Sequence, residues 1–422
     1  MLNFDKKDWL IAAAIFLLAA LLRFPNLEHP PVAVFDEATY VNFVTRLAQG
    51  EPFFTVHPPG GILIFWSLIP QAQALPIIPD WFYRPYGDFP YANLRGLTAL
   101  MGSLLPVFIF FIGRLLFQTR NGAIVAALLI IFDRAFIVYS RLILPDTILI
   151  ACGFLALLMV ILYGQKEDWK YRIILLLCAG LSLGMSISIK WIGLGFWGTA
   201  VYFLLKQRGA VKNIILITVP MLMVYVIVSL IYFSLFQSGT PYPFVFRNQT
   251  VASLQFPPGN DVKAVAEFIP TYAKAMLAGH AEYVNDHPHA SASRPYYWLI
   301  NQSPIYIWTE GQKKIIFQGN QIAWLSALLA VVSGLIFWRR HDPILRLLLI
   351  GYLVNLVPFF FIKRILFPYH YLAALPFAYL LVPIVLDLAA EKLRVNKLHL
   401  SLAFAVVLIG SFFLLLPTTY GF

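Results

Sequence analysis

The sequence predicts an all-α polytopic membrane protein, and three observations carry that prediction. Of its 422 residues, 60% are hydrophobic and only 12% are charged, against about 25% charged in soluble domains. About eleven apolar stretches follow one another along the chain, most of them within the roughly 17 to 25 residues that cross a bilayer as a helix. The Lys and Arg clusters between them alternate so that all fall on one side, as the positive-inside rule requires.

Taken in order, the expected spans are 8–24, 95–117, 121–139, 142–163, 172–189, 192–205, 214–236, 319–338, 347–362, 366–386 and 400–417. The opening MLNFDKKDWLIAAAIFLLAALLRF has a short basic start but no small-residue cleavage site before Arg23 and Pro25, so it reads as a retained first span. Lys6/Lys7, Arg114/Arg120, Lys166/Lys170/Arg172, Lys206/Arg208/Lys212, Arg339/Arg340/Arg346 and Lys392/Arg394/Lys397 then mark the cytoplasmic side. This places the N-terminus inside and the C-terminus outside. The span at 192–205 is short, and the one at 121–139 carries Asp133 and Arg134, so their boundaries are the least defined.

The chain reads as one transmembrane domain, 1–422, with two outer-face loops at 25–94 and 237–318. In the first loop, apolar positions at 36–49 follow helical spacing, and GGILIFWSLIPQAQALPII is apolar but interrupted by Pro70 and Pro76. Both are expected as helices lying on the membrane surface. The second loop holds the turn-rich pieces TPYPF, QFPPGN and HPHASASRP around a helix expected at 262–278, forming a small cap.

The net charge of +11 is accounted for by the one-sided Lys and Arg clusters, which removes nucleic acid as a partner. Cys152 and Cys178 sit inside apolar runs, so neither a disulfide framework nor a thiol metal site is expected.

Charges where the pattern disfavours them point to chemistry. VFDEATYVNFVTRLAQG, residues 34–50, opens with adjacent Asp36 and Glu37. Such a pair suits a helix start favoured by the macrodipole or carboxylate ligands of a hard cation. His57 stands in FFTVHPPGG, where Pro and Gly pairs set a sharp turn. Arg95, Arg141, Lys190, Lys363 and Arg364 lie at expected outer ends of spans. They either snorkel to lipid headgroups or neutralise an anion such as a lipid-linked phosphate.

The ordered set FDEATYVNFV, FFTVHPPGGILI, NLRGLTALMG, VYSRLILPDTIL, GLSLGMSISIKWIGL, HASASRPYYW, the Gly319–Asn320 pair and RILFPYHYLAALPF resembles the protein O-mannosyltransferases, from about residue 35 to 380. The resemblance implies a C-type glycosyltransferase fold of about eleven transmembrane helices. It also implies transfer of mannose, or a related sugar, from a polyprenyl-phosphate carrier to Ser/Thr hydroxyls of protein on the outer face, inverting the anomeric centre. By the same resemblance Asp36 is the base and Glu37 its catalytic partner, while His57 and Tyr371 orient acceptor or sugar. Arg95, Arg141, Lys190, Arg364 and His370 hold the donor phosphate, with Asp146 and Trp191 in support. Neither metal nor cofactor is expected, because the lipid carries the activated sugar. HPPGG replaces the family's more usual HPPLG, and the second loop is too short for the sugar-binding-like domain of eukaryotic members. Both departures point to a bacterial-type member of the plasma membrane and leave the acceptor open. The alternatives are a C-type transferase acting on a lipid or cell-envelope glycan and, less favoured, a transporter or flippase.

Overall fold

The structure, a computed structural model, describes residues 4–69, 77–78, 81–236, 241–246, 249–282, 290–340 and 342–422. Helices dominate: α1 (Lys6–Arg23), α2 (Glu37–Ala48), α3 (Gly60–Ser67), α4 (Tyr91–Phe117), α5 (Arg120–Ile131), α6 (Arg134–Ser140), α7 (Asp146–Gln165), α8 (Trp169–Ile189) and α9 (Leu194–Leu204) form the first half. The second half comprises α10 (Ala210–Ser234), α11 (Val262–Glu282), α12 (Pro295–Leu299), α13 (Gln321–Ile336), α14 (Pro343–Leu356), α15 (Pro358–Phe361), α16 (Leu375–Leu393), α17 (Lys397–Leu414) and α18 (Leu416–Tyr420).

Each of the eleven expected ranges overlaps a helix. Among the described residues, six helices are long and apolar enough to cross a bilayer, and α5 with α6, bent by 58°, would make a seventh. The chain is therefore an integral membrane protein built as a helical bundle. α7 is largely buried and packs on α4 and α8, whereas α17 exposes most of its length at the periphery.

Local sequence explains where the helices start and break. Asp5 and Asp8 form a capping box that opens α1, satisfying backbone donors that the first turn leaves unpaired. Asp8 also accepts from Arg114 Nε at 2.8 Å and Arg120 Nε at 2.9 Å, tying α1 to the far end of α4 and the start of α5. The stretch expected as one span at 121–139 is broken at Asp133. Its buried carboxylate caps α6 through the Ala135 amide and accepts from the Asn320 amide, Trp324 Nε1 and the Tyr379 hydroxyl at 2.7–3.1 Å. One side chain thus fastens the bend to α13 and α16. Arg134 donates to the Gln318 carbonyl and side chain and to Thr418, so neither charge of this pair faces lipid unpartnered.

The surface elements differ in part from expectation. The helix at 36–49 is present as α2, and that at 262–278 as α11. α3 covers only the first eight residues of the apolar stretch after His57, and 70–76 lie outside the described residues. Rather than resting on the surface, α3 buries Ile62 and Phe65 and packs against α8 and α10. A Cβ on Gly60 would lie 2.6 Å from the Ser188 carbonyl oxygen, so glycine is required for that approach.

Two antiparallel hairpins in the second loop add strand structure to the all-α expectation: β1 (Pro241–Phe246) with β2 (Gln249–Gln255), and β3 (Ile305–Glu310) with β4 (Lys313–Phe317). Gly311, at φ +58°, supplies the left-handed residue of the tight turn between β3 and β4.

Candidate active site

A cavity of about 540 Å³ opens between the ends of α7, α8, α9 and α14 and the turns that follow α14. His57, Asp146, Lys190, Trp191, Arg364 and His370 line it, joined by His280 and Asn355. Ile192, Leu194, Val354, Phe359 and Ile362 supply an apolar wall.

Each polar group is delivered by a local interruption of the helical pattern. Asp146 begins α7 directly after Pro145. Lys190 is the extended residue between α8 and the 3₁₀ turn of Trp191–Gly193. Its Nζ donates to both carboxylate oxygens of Asp146 at 2.7 and 2.9 Å and lies 5.7 Å from the centre of the Tyr369 ring. α16 starts at Leu375, later than the apolar pattern predicts, because Pro368–Ala373 form a 3₁₀ turn that presents His370. There His370 Nδ1 bonds the Phe367 carbonyl at 2.9 Å, which leaves Nε2 for other partners.

Two residues of the site carried no sequence signal strong enough to single them out. His280 comes from α11 in the second loop and stands 5.3 Å from the His57 ring and 6.1 Å from that of Trp191. Only the helix expected at 262–278 in a small cap hinted that this face would be covered. Asn355 is a lone amide inside an apolar run; its Nδ2 donates to the Gly351 carbonyl, while its Oδ1 is buried without a partner. A Cβ on Gly195 would stand 2.2 Å from that oxygen, so only glycine permits Asn355 its position.

The electrostatics favour one negative charge. Among the described lining residues, Lys190 and Arg364 against Asp146 leave one net positive charge. His57 and His280 add none at neutral pH. Burial, reinforced by Lys190 and Arg364, holds the His57 imidazole well below its usual range, and burial with Arg364 and Lys190 brings His280 down to about 4.

Asp36 does not line this cavity but acts on Tyr369, whose ring Lys190 also faces. It begins α2 with its carbonyl accepting from the Thr39 and Tyr40 amides, and its side chain takes no part in capping. Its charge and that of Asp146 both act on Tyr40, Tyr139 and Tyr369, so the two carboxylates flank one tyrosine cluster. Phe35, at φ +52°, packs its ring 5.8 Å from Tyr369. A left-handed phenylalanine is strained, and such strain persists where surrounding structure enforces it.

Four expected site residues stand elsewhere. Glu37 is fully buried: Oε1 accepts from Arg95 Nε and the Ile143 amide at 2.8 Å, and Oε2 from Arg95 Nη2, the Tyr86 hydroxyl and the Val34 amide. With both oxygens so engaged it cannot act as an acid or base on substrate, and its work is to fix the start of α2. Arg95 is the other half of that clamp, donating also to the Leu27 and Pro30 carbonyls, so it does not face a donor phosphate. Arg141 donates to the carbonyls of Arg23, Pro25 and Asn26 and covers the Tyr420 ring, which fixes the exit of α1 instead. Tyr371 points into the bundle, sharing a hydrogen bond of 2.9 Å with the Tyr352 hydroxyl and packing on Trp324. The reason is common to all four: each is buried among groups that match its polarity, away from the cavity.

A helical membrane bundle with two loops packed around a cationic cavity at one end is the C-type glycosyltransferase fold. The structure of the S. cerevisiae protein O-mannosyltransferase Pmt1–Pmt2 complex bound to the sugar donor matches with a TM-score of 0.79 at 15% identity, over 100% of this chain and 91% of that one. ArnT from Cupriavidus metallidurans bound to undecaprenyl phosphate matches at 0.58 and 15% identity, over 99% and 74%. A family model described as dolichyl-phosphate-mannose-protein mannosyltransferase covers residues 13–238, and one described as the C-terminal four TMM region of protein-O-mannosyltransferase covers 266–422. The chain belongs to the protein O-mannosyltransferase family. Dolichyl-phosphate-mannose–protein mannosyltransferase 4 of Schizosaccharomyces pombe is 29% identical over 201 residues, 44% of this chain and 25% of that protein. Alignments with curated relatives thus span about a quarter of their length.

Proposed function

We propose that this protein transfers a mannosyl group from a polyprenyl-phosphate carrier to a Ser or Thr hydroxyl of a protein acceptor on the outer face of the membrane. The observation that carries the reading is the cavity itself, which sets two cations, Lys190 and Arg364, against an apolar wall. A sugar phosphodiester of a polyprenol brings one negative charge and an apolar tail, so ligand and cavity are complementary in both respects. Membership of the family supplies the sugar and the acceptor class.

In the proposed reaction the acceptor oxygen attacks the anomeric carbon as the bond from that carbon to the phosphate oxygen breaks. The hydroxyl proton passes to Asp36, and polyprenyl phosphate leaves with the bonding electron pair. General-base help of this kind contributes about 10²- to 10⁴-fold. Lys190, Arg364 and His370 stabilise the charge that grows on the leaving phosphate. Asp146 holds Lys190 in place by accepting from its ammonium, and His57 with His280 borders the sugar. One displacement in one step inverts the anomeric configuration. The one-sided Lys and Arg clusters support a cytoplasmic position for the opposite end of the bundle and use of the donor on the outer face, and the short second loop fits a bacterial plasma-membrane enzyme.

The test is an assay of purified protein with polyprenyl-phosphate-mannose and a Ser/Thr peptide, read by product mass. Mannosyl peptide is expected, with Asp36→Asn lowering turnover by about 10²-fold or more. Lys190→Gln should weaken dependence on donor and slow turnover by about 10²- to 10³-fold. Intact, folded protein that makes no mannosyl peptide would move the assignment to a lipid or glycan acceptor.

A further inference from the structure

In the proposed transfer, base and phosphate site are set apart: Lys190, Arg364 and His370 line the cavity, whereas Asp36 does not. Tyr369 joins the two. It precedes His370 in the 3₁₀ turn of Pro368–Ala373. Lys190 Nζ lies 5.7 Å from the centre of its ring, and the His370 ring stacks on it at 4.5 Å. Phe35, the residue before Asp36, meets the same ring in a T-shaped contact at 5.8 Å. The charges of Asp36 and Asp146 both reach its hydroxyl.

Packing explains the ring of Tyr369 but not its oxygen. Phe367 and Tyr139 add stacked contacts at 5.5 and 5.3 Å, and a phenylalanine would serve all of these neighbours as well. Buried tyrosine hydroxyls usually find a hydrogen-bond partner. Among the described residues that of Tyr369 has none, although only 8% of the residue is exposed. Tyr139 repeats the pattern beside it, with a hydroxyl enclosed and unpartnered. Tyr371, two residues on, shows the contrast, since its hydroxyl is bonded to that of Tyr352 inside the bundle. The Tyr369 oxygen is thus held rigidly next to the proposed base and is not used by the fold.

We propose that Tyr369 is an acceptor-binding residue, whose hydroxyl donates a hydrogen bond to the oxygen of the incoming Ser or Thr and holds it between Asp36 and the anomeric carbon. This role rests on the transfer proposed above. An alcohol oxygen carries one proton and two lone pairs. One lone pair takes the hydrogen bond from Tyr369 and the other attacks the anomeric carbon, while the proton goes to Asp36. The carrier phosphate sits on the other side, at Lys190 and Arg364, so the Tyr369 hydroxyl bears on the acceptor and not on the donor.

The experiment compares the purified full chain with its Tyr369→Phe variant in thermal unfolding and in mannosyl transfer, varying first the Ser/Thr peptide and then polyprenyl-phosphate-mannose. Y369F keeps every ring contact and removes an oxygen that the fold does not use, so its unfolding midpoint should equal that of wild type. Its kcat/KM for the peptide should fall about tenfold, the size of one neutral hydrogen bond, with KM for the donor unchanged. Equal kcat/KM for the peptide in Y369F and wild type, or a loss carried by the donor KM, would overturn the assignment. A lowered unfolding midpoint would do the same by placing the hydroxyl in the fold. Wild type that makes no mannosyl peptide would remove the transfer and this role together, whereas active wild type with an equally active Y369F would remove Tyr369 alone.

Discussion

His57 and His280 show how far burial sets the state of a single residue. Both rings sit against Lys190 and Arg364, and both are held neutral in the folded protein, His280 with a pKa of about 4 against an ordinary 6.5. The unfolded chain takes up these protons near 6.5, so it binds more protons than the folded chain between the two values. The stability they contribute is therefore complete above pH 6.5 and is lost as pH falls towards 4. Thermal unfolding in detergent should show a falling midpoint across that window, and His280→Gln should make the fall shallower. Identical slopes for H280Q and wild type would remove His280 from this role. Phe35 adds a second residue-scale constraint, since its left-handed backbone beside Asp36 is maintained by packing on Tyr369.

Among the elements, the clamp between Glu37 and Arg95 decides where α2 begins. Two parallel hydrogen bonds of 2.8 Å join them inside the protein, and the same carboxylate takes the Ile143 amide from the turn before α7. The start of α2, the N-terminal end of α4 and the turn before Asp146 are thereby fixed together. Arg95→Met would strand a buried carboxylate, which costs about 3 to 5 kcal/mol. A drop of that size in unfolding free energy is expected, with reduced transfer because Asp36 loses its support. The paired change of Glu37→Leu with Arg95→Met should recover part of the stability and less of the activity. An R95M protein as stable as wild type would show that the clamp does not bear on the fold.

At the scale of the whole molecule, the two loops are docked to one another over the cavity. The Thr55 amide donates to the Tyr272 hydroxyl at 2.9 Å, and that hydroxyl lies 3.3 Å from the Thr55 carbonyl. These bonds connect the stretch leading to His57 with α11, which carries His280. The docking is cushioned by an aromatic cluster in which Phe54, Phe233, Phe256 and Phe268 surround Tyr272. Tyr272→Phe keeps this packing and strands a buried amide, at a cost of about 1 to 3 kcal/mol. Hydrogen exchange at Thr55 should quicken while exchange in α7 stays unchanged. Equal protection at Thr55 in Y272F and wild type would mean that the loops are held together by packing alone.

Class and bulk architecture were legible in the sequence because hydropathy and charge asymmetry are local properties of the chain. Each of the eleven apolar ranges overlaps a helix, and the ordered motifs identified the family without any contact being known. Breaks inside those ranges were less legible: the bend at Asp133 depends on partners supplied by Asn320, Trp324 and Tyr379, which a window along the sequence does not contain. The division of charges was decided only in three dimensions. Arg95, Arg141 and Lys190 look alike as cations at span ends, yet only Lys190 lines the cavity, while the other two are consumed by Glu37 and by backbone carbonyls. Nor could spacing reveal that His280 meets His57, since α11 reaches that point only after the second loop folds back over the first. A membrane segment is specified by its own composition, whereas the role of a buried charge is specified by whichever distant groups neutralise it.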